Sequence, residues 1–118
     1  MSTSFTPEWL SPSEADVEAF ETLFRDSSAI GATPAGGLHR LAASAEDGAV
    51  RDLFSAWLRE RGFEVRVDAI GNLFGLITFN PDAPYVLCGS HLDSQPSAGR
   101  FDGIYGAVSY THLRAHET

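Results

Sequence analysis

His91 and Asp93 place an imidazole and a carboxylate two residues apart, and Asp102 adds a second carboxylate within the same twelve-residue stretch. In extended chain, side chains at i and i+2 point the same way. Asp93 can therefore sit beside the imidazole, fix its tautomer and raise its basicity, as a carboxylate does for a metal-bound histidine. Asp102 arrives through a loop rich in Gly, Pro and Ser. Imidazole and carboxylate are donors that a divalent cation accepts, but zinc wants at least three protein ligands and a zinc pair wants more. The same residues would equally form a surface ion pair, His91 with Asp93, with Asp102 capping a helix that begins at Gly103. Spacing alone leaves both readings open.

The elements upstream decide how such a loop is presented. Ser11-Pro12-Ser13-Glu14 reads as an N-cap serine, a proline at the first helical position and an acid at the third. Val17, Phe20, Leu23 and Phe24 follow at helical spacing. Ile30 to Gly37, with Gly31, Pro34, Gly36 and Gly37, reads as a loop. Ser44 caps a second helix, Glu46 and Asp47 in its first turn favour the positive end of the dipole, and Gly62 stops it. Val50, Leu53, Phe54, Trp57 and Leu58 fall on one stripe, which predicts a core face.

After Gly62 the period becomes two, with Phe63, Val65 and Val67 opposite Glu64, Arg66 and Asp68. Ile70-Gly71-Asn72 predicts a turn into a second strand, Leu73 to Phe79. Tyr85-Val86-Leu87-Cys88 is a continuous apolar run, the pattern of a strand covered on both faces. The sum is an α/β chain in which a buried strand delivers His91 at its carboxyl end, where open α/β sheets place their ligand sites.

The composition excludes several function classes. A net charge of −8 leaves no basic patch for nucleic acid or an anionic membrane, so neither is expected as a partner. No run of about twenty apolar residues suits a membrane span and no secretory leader is evident. Cys88 is the only cysteine, so an internal disulfide is impossible, and a cytoplasmic protein is expected.

Residues Gly89 to Gly106 contain Gly-Ser-His-Leu-Asp-Ser-Gln-Pro and then Gly-Arg-Phe-Asp-Gly. This segment resembles the signature of the M20 metallopeptidase-like amidohydrolases, in the branch of N-carbamoyl-L-amino-acid hydrolases, β-ureidopropionases and allantoate amidohydrolases. Gly36-Gly37-Leu38, Arg40-Leu41-Ala42, Ser44, Glu46-Asp47, Arg51, Gly62, Val67-Asp68, Gly71-Asn72 and Phe74-Gly75 extend the likeness, which covers about residues 30 to 107. The resemblance implies the N-terminal part of a zinc-peptidase-like catalytic domain, truncated, with helices packed on a mixed sheet. It implies that His91 is a terminal ligand of one metal, that Asp102 bridges two, and that Asp93 is a catalytic residue orienting His91. The implied cofactors are two divalent ions, zinc or else manganese, cobalt or nickel. The implied substrate is a small N-carbamoyl or ureido acid, with the free amino acid, carbon dioxide and ammonia as products for the former. The full-length parent is then expected to be a homodimer. Nothing identifies substrate-binding residues. A dipeptidase or aminopeptidase of the same superfamily is the second reading, and a small binding module without catalysis the third.

The pattern also requires a Glu-Glu pair and further histidine ligands that lie beyond residue 118, so the chain by itself is expected to be inactive. Its division reads as a helical segment over 1–29, the catalytic-domain part over 30–107 and a tail over 108–118. Val108 to Thr118 does not continue the family helix and back-translates to a sequencing adapter read in frame, which makes the tail an assembly artefact. His112 and His116, four apart as in zinc-binding helices, then carry no function. His39 reads as a polar surface residue, Cys88 as a small buried hydrophobe, and Gln95 and Arg100 as residues that shape the loop. Sequencing the source gene across the Ala107 codon checks the tail: continuation to a Glu-Glu pair is expected, and a genuine stop after Thr118 refutes it.

Overall fold

The computed structural model describes residues 11–113, and side chains within residues 11–109. The elements run α1 (Glu14–Ala29), α2 (Ala45–Glu60), β1 (Glu64–Val67), β2 (Leu73–Leu76) and α3 (Ile104–Leu113). Helices pack on a small sheet, the α/β combination expected, and the sheet among the described residues is one antiparallel pair. None of the helices among these residues is long and apolar enough to cross a membrane.

α1 begins later than the Ser11 cap predicts. Two Ser-x-x-acid frames overlap, and the second is used. Ser13 Oγ accepts from Asp16 N at 3.1 Å while Ser13 N and Oγ donate to the Asp16 carboxylate at 2.9 and 2.7 Å. Three polar groups are satisfied at once in that frame. α2 starts at the expected cap, Ser44 Oγ accepting from Asp47 N at 3.1 Å, and Asp47 returns a bond from Ala43 N at 2.9 Å. Gly62, at φ 82°, follows the C-cap Arg61. The predicted stripe faces inward: Val50, Trp57 and Leu58 are buried, Leu53 and Phe54 half-buried.

β1 and β2 pair from Glu64↔Leu76 to Val67↔Leu73. Asp68 organises the turn, accepting from the Ile70 and Asn72 amides at 3.1 and 2.8 Å and from the Asn72 side chain at 2.8 Å. The Asn72 side-chain bond, with its backbone amide, holds the Asp68 carboxyl below its ordinary range. Arg51 on α2 donates to Gly71 O at 2.7 Å and ties the turn to the helix. Gly75 is where α2 lies closest, since a Cβ there would come within 2.9 Å of Leu58 Cδ2. Phe63 and Val65 pack on the core, but Val67, at the turn end away from Leu58, is 57% exposed.

Two expectations fail together. Tyr85 to Cys88 forms no strand, and Val86 is 94% exposed. Cys88 is exposed, not buried. A strand exists only against a partner, and no strand among the described residues pairs with this run. Leu73 to Phe79 is likewise regular only to Leu76, where its pairing with β1 ends.

The core is Leu23 of α1, Trp57 and Leu58 of α2, and Ile104 and Val108 of α3, with Phe20, Phe24, Phe63, Val65 and Leu92 against it. Leu92 thus plugs the segment between His91 and Asp93 into the core. Leu58, 1% exposed, touches both the helix layer and the hairpin. Leu58→Ala is expected to cost about 2–5 kcal/mol, whereas Val67→Ala stays within about 0.5 kcal/mol. Urea denaturation followed by circular dichroism checks both.

Candidate functional site

The site is a crossing of two segments far apart in sequence. Residues 31–40 fold back through an Ala32↔Leu38 bridge, and Leu38 then bridges Ala98, with amide-to-carbonyl bonds of 2.8 and 3.0 Å. Gly37 permits this, since a Cβ there would collide with the Ala98 carbonyl. One step on, Ser94 N donates to Arg40 O at 2.6 Å and Arg40 N donates to Ser94 Oγ at 2.8 Å. His39 Nδ1 and Pro96 O lie 2.7 Å apart, so His39, although exposed, meets the loop that the sequence left it apart from.

This crossing fixes the residues His91 to Asp102. His91 is met on both sides of its ring. Nδ1 lies 3.0 Å from Asp93 O and 3.2 Å from Asp93 Oδ1, and Nε2 lies 3.6 Å from Asp102 Oδ2. The three residues singled out by spacing therefore converge, with Asp93 and Asp102 on opposite nitrogens. The side chains are 49%, 42% and 67% exposed for His91, Asp93 and Asp102, so solvent reaches the gap between Nε2 and Asp102. Asp102 does not cap α3 with its side chain. The Ile104 and Tyr105 amides instead donate to the backbone carbonyls of Asp102 and Phe101 at 2.8 and 3.3 Å.

Gly103 makes the approach possible. It has φ 73°, and a Cβ there would fall on the His91 ring and on the His91 carbonyl. Directly after it, Ile104 is fully buried, so the helix that carries Asp102 at its start is seated in the core.

A cation bonded at about 2.0–2.2 Å to an imidazole nitrogen and a carboxylate oxygen holds those atoms about 3.3–3.6 Å apart. The Nε2 to Asp102 separation meets that span. Two ligands are not a full set, and among the described residues no group of three or more His, Cys, Asp or Glu side chains could hold a metal ion. Gln95 is exposed, and Arg100 lies over the Phe24 and Phe101 rings at 5.6 and 5.2 Å, bracing the loop. His116 lies outside the described residues.

Sequence reasoning missed Arg40. It is fully buried, donating from Nε to Leu92 O at 2.8 Å and from Nη1 to Ser27 O and Ile30 O at 2.7 and 2.8 Å. Burial lowers its pKa, against the opposing charges of Asp47 and Asp93. The available signal was a cation between His39 and Leu41, one residue from Leu38, in a segment otherwise rich in small and apolar residues.

The chain is similar to known hydrolases and amidases. The chain is 70% identical over 81 residues to a Mycolicibacterium smegmatis protein described as a hydrolase, covering 69% of this chain and 18% of that one. It is 46% identical over 81 residues to the N-carbamoyl-L-amino acid amidohydrolase of Geobacillus stearothermophilus, covering 68% and 20% respectively. A hydantoinase/carbamoylase family amidase from Burkholderia ambifaria superposes with a TM-score of 0.79 at 44% identity, over 84% of this chain and 25% of that chain. The chain thus spans about a fifth of the length of the curated relatives it matches. No family model matches it.

Replacing Gly103 by alanine imposes a left-handed backbone on a residue with a Cβ, a strain of about 1–3 kcal/mol, and pushes His91 off its seat. Gly99→Ala, where the new Cβ meets nothing within 4 Å, is the matched control. Urea titration is expected to show Gly103→Ala less stable than Gly99→Ala by at least about 1 kcal/mol.

Proposed function

Because this chain is a homologue of the hydantoinase/carbamoylase family amidases, we propose that it carries part of a dimetal amidohydrolase site acting on N-carbamoyl-L-amino acids or related ureido acids. One observation carries the reading: His91 Nε2 faces Asp102 Oδ2 at 3.6 Å while Asp93 occupies the opposite ring nitrogen. In this reading His91 is a terminal ligand of one cation, Asp102 lies between two, and Asp93 holds the imidazole in the tautomer whose Nε2 lone pair is free. A nitrogen and carboxylate donor set suits zinc, with manganese, cobalt or nickel as alternatives. When bound, the cations supply Lewis-acid polarisation of a ureido carbonyl and an acidified water.

The residues of this chain hold and orient; none of those described is placed to take a proton from the attacking water. A ligand pair without a general base binds a cation weakly and does not turn over. The 46% identity to an enzyme named for N-carbamoyl-L-amino acids favours that substrate class over a peptide.

Calorimetric titration of the 118-residue chain with zinc and with manganese tests the site. Weak uptake is expected, lost in His91→Ala and in Asp102→Ala, with no amino acid released from N-carbamoyl-L-amino acids at saturating metal. Uptake indifferent to both substitutions overturns the site, and metal-dependent release above the blank overturns the inactivity. Tight uptake with a large rise in melting temperature would instead mark a dedicated metal-binding module.

A further inference from the structure

Arg40 has no assigned part in the site, yet it touches the segment that carries His91 in three places. Its Nε donates to the carbonyl of Leu92, and its own amide and carbonyl bond Ser94 Oγ and Ser94 N. Asp93 is therefore clamped on both flanks, and Leu92 is drawn by its side chain into the core and by its carbonyl onto the guanidinium. The other end of the guanidinium rests on Ser27 O and Ile30 O at the C-terminus of α1, where a cation also meets the negative end of the helix dipole.

The arrangement is expensive. Arg40 is fully buried without a hydrogen-bonded carboxylate partner, and its Nη2 has no hydrogen-bond partner among the described residues. A buried, incompletely satisfied charge is weak evidence for stability and occurs where a site demands it. Lysine could not replace it, since only the planar fork reaches Leu92, Ser27 and Ile30 at the same time.

We propose that Arg40 is the positioning residue of the metal site: it fixes the Leu92–Ser94 backbone so that the Asp93 carbonyl and carboxylate meet one nitrogen of His91 and the other faces Asp102. The metal role rests on the reading given above, but the orientation of the His91 ring does not.

The test uses the whole chain and two readouts. In metal-free protein, long-range proton–nitrogen spectra of the imidazoles, with His91→Ala identifying the His91 signals, are expected to show a single tautomer in the native chain. In Arg40→Lys and Arg40→Met the two His91 nitrogens are expected to move towards tautomer-averaged values. Zinc affinity is expected to fall about 10–100-fold in both. Leu58→Ala, which opens the contact between α2 and Gly75 of the hairpin, is the control for lost stability and is expected to keep both the ring signature and the affinity. Rescue by lysine would show that only the charge matters and would overturn the proposal, as would an unchanged ring signature in both variants. If neither Arg40 variant retains the native helical circular dichroism, Ser94→Ala decides, because it removes the bond from the Arg40 amide, together with the Ser94 Oγ–Gln95 O bond, without touching the charge: an unchanged ring signature there overturns the proposal. A native chain that takes up no zinc defeats the metal reading alone, and the metal-free ring signature still decides the part played by Arg40.

Discussion

A single buried guanidinium joins three parts of the molecule. Arg40 closes the C-terminal turn of α1, lies in the extended segment that pairs with 94–98, and takes the carbonyl of Leu92. Hydrogen bonds to a charged donor are each worth about 1.5–3 kcal/mol net, but desolvating the cation offsets much of that. What the interaction provides is geometry. The guanidinium adds to the Leu38–Ala98 bridge, the Ser94 bonds to the Arg40 backbone and the Leu92 side chain, which also hold the His91 loop against the helical layer.

The remainder of the site follows from seating α3. Ile104 and Val108 are fully buried against Leu23 and Trp57, so the start of that helix cannot move independently of the core. Asp102 sits two residues before Ile104, and the left-handed Gly103 lets His91 lie over the turn. Phe24, Phe101 and Tyr105 pack beside it, with the Phe24 and Phe101 centroids 5.1 Å apart. The His91–Asp102 pair is thus built from one residue at the start of α3 and one on the loop that Arg40 contacts, 3.6 Å apart.

How much of this was legible in the sequence depended on whether the signal was local. α2 was readable from end to end because its cap, its acidic first turn, its stripe and its stop all lie within nineteen residues. The α1 start was placed at Ser11, two residues early, because two capping frames overlap there, and the extra Ser13 Oγ–Asp16 bond that selects the second is not a matter of residue type. The hairpin was legible in its turn, whose Asp68 and Asn72 bond each other, and overstated at its far end. Tyr85 to Cys88 read as a buried strand because apolar runs usually are, but burial requires a neighbour and periodicity says nothing of where that neighbour lies. For the site, His91, Asp93 and Asp102 stood out in the sequence, and their side chains do come together in the fold. The part played by Arg40 depends on contacts more than fifty residues apart that no local pattern encodes.

That separation has a consequence in time. The clamp between Arg40 and Leu92 spans 52 residues, whereas the two helices, the hairpin and its turn are each closed by contacts within a few residues of one another. Loop closure costs entropy before any distant contact repays it. The physical expectation is therefore an order of assembly in which α1, α2 and the hairpin form first and the His91 loop docks last, onto a scaffold already in place. In that order the loop that carries His91 is the last part of the chain to be fixed.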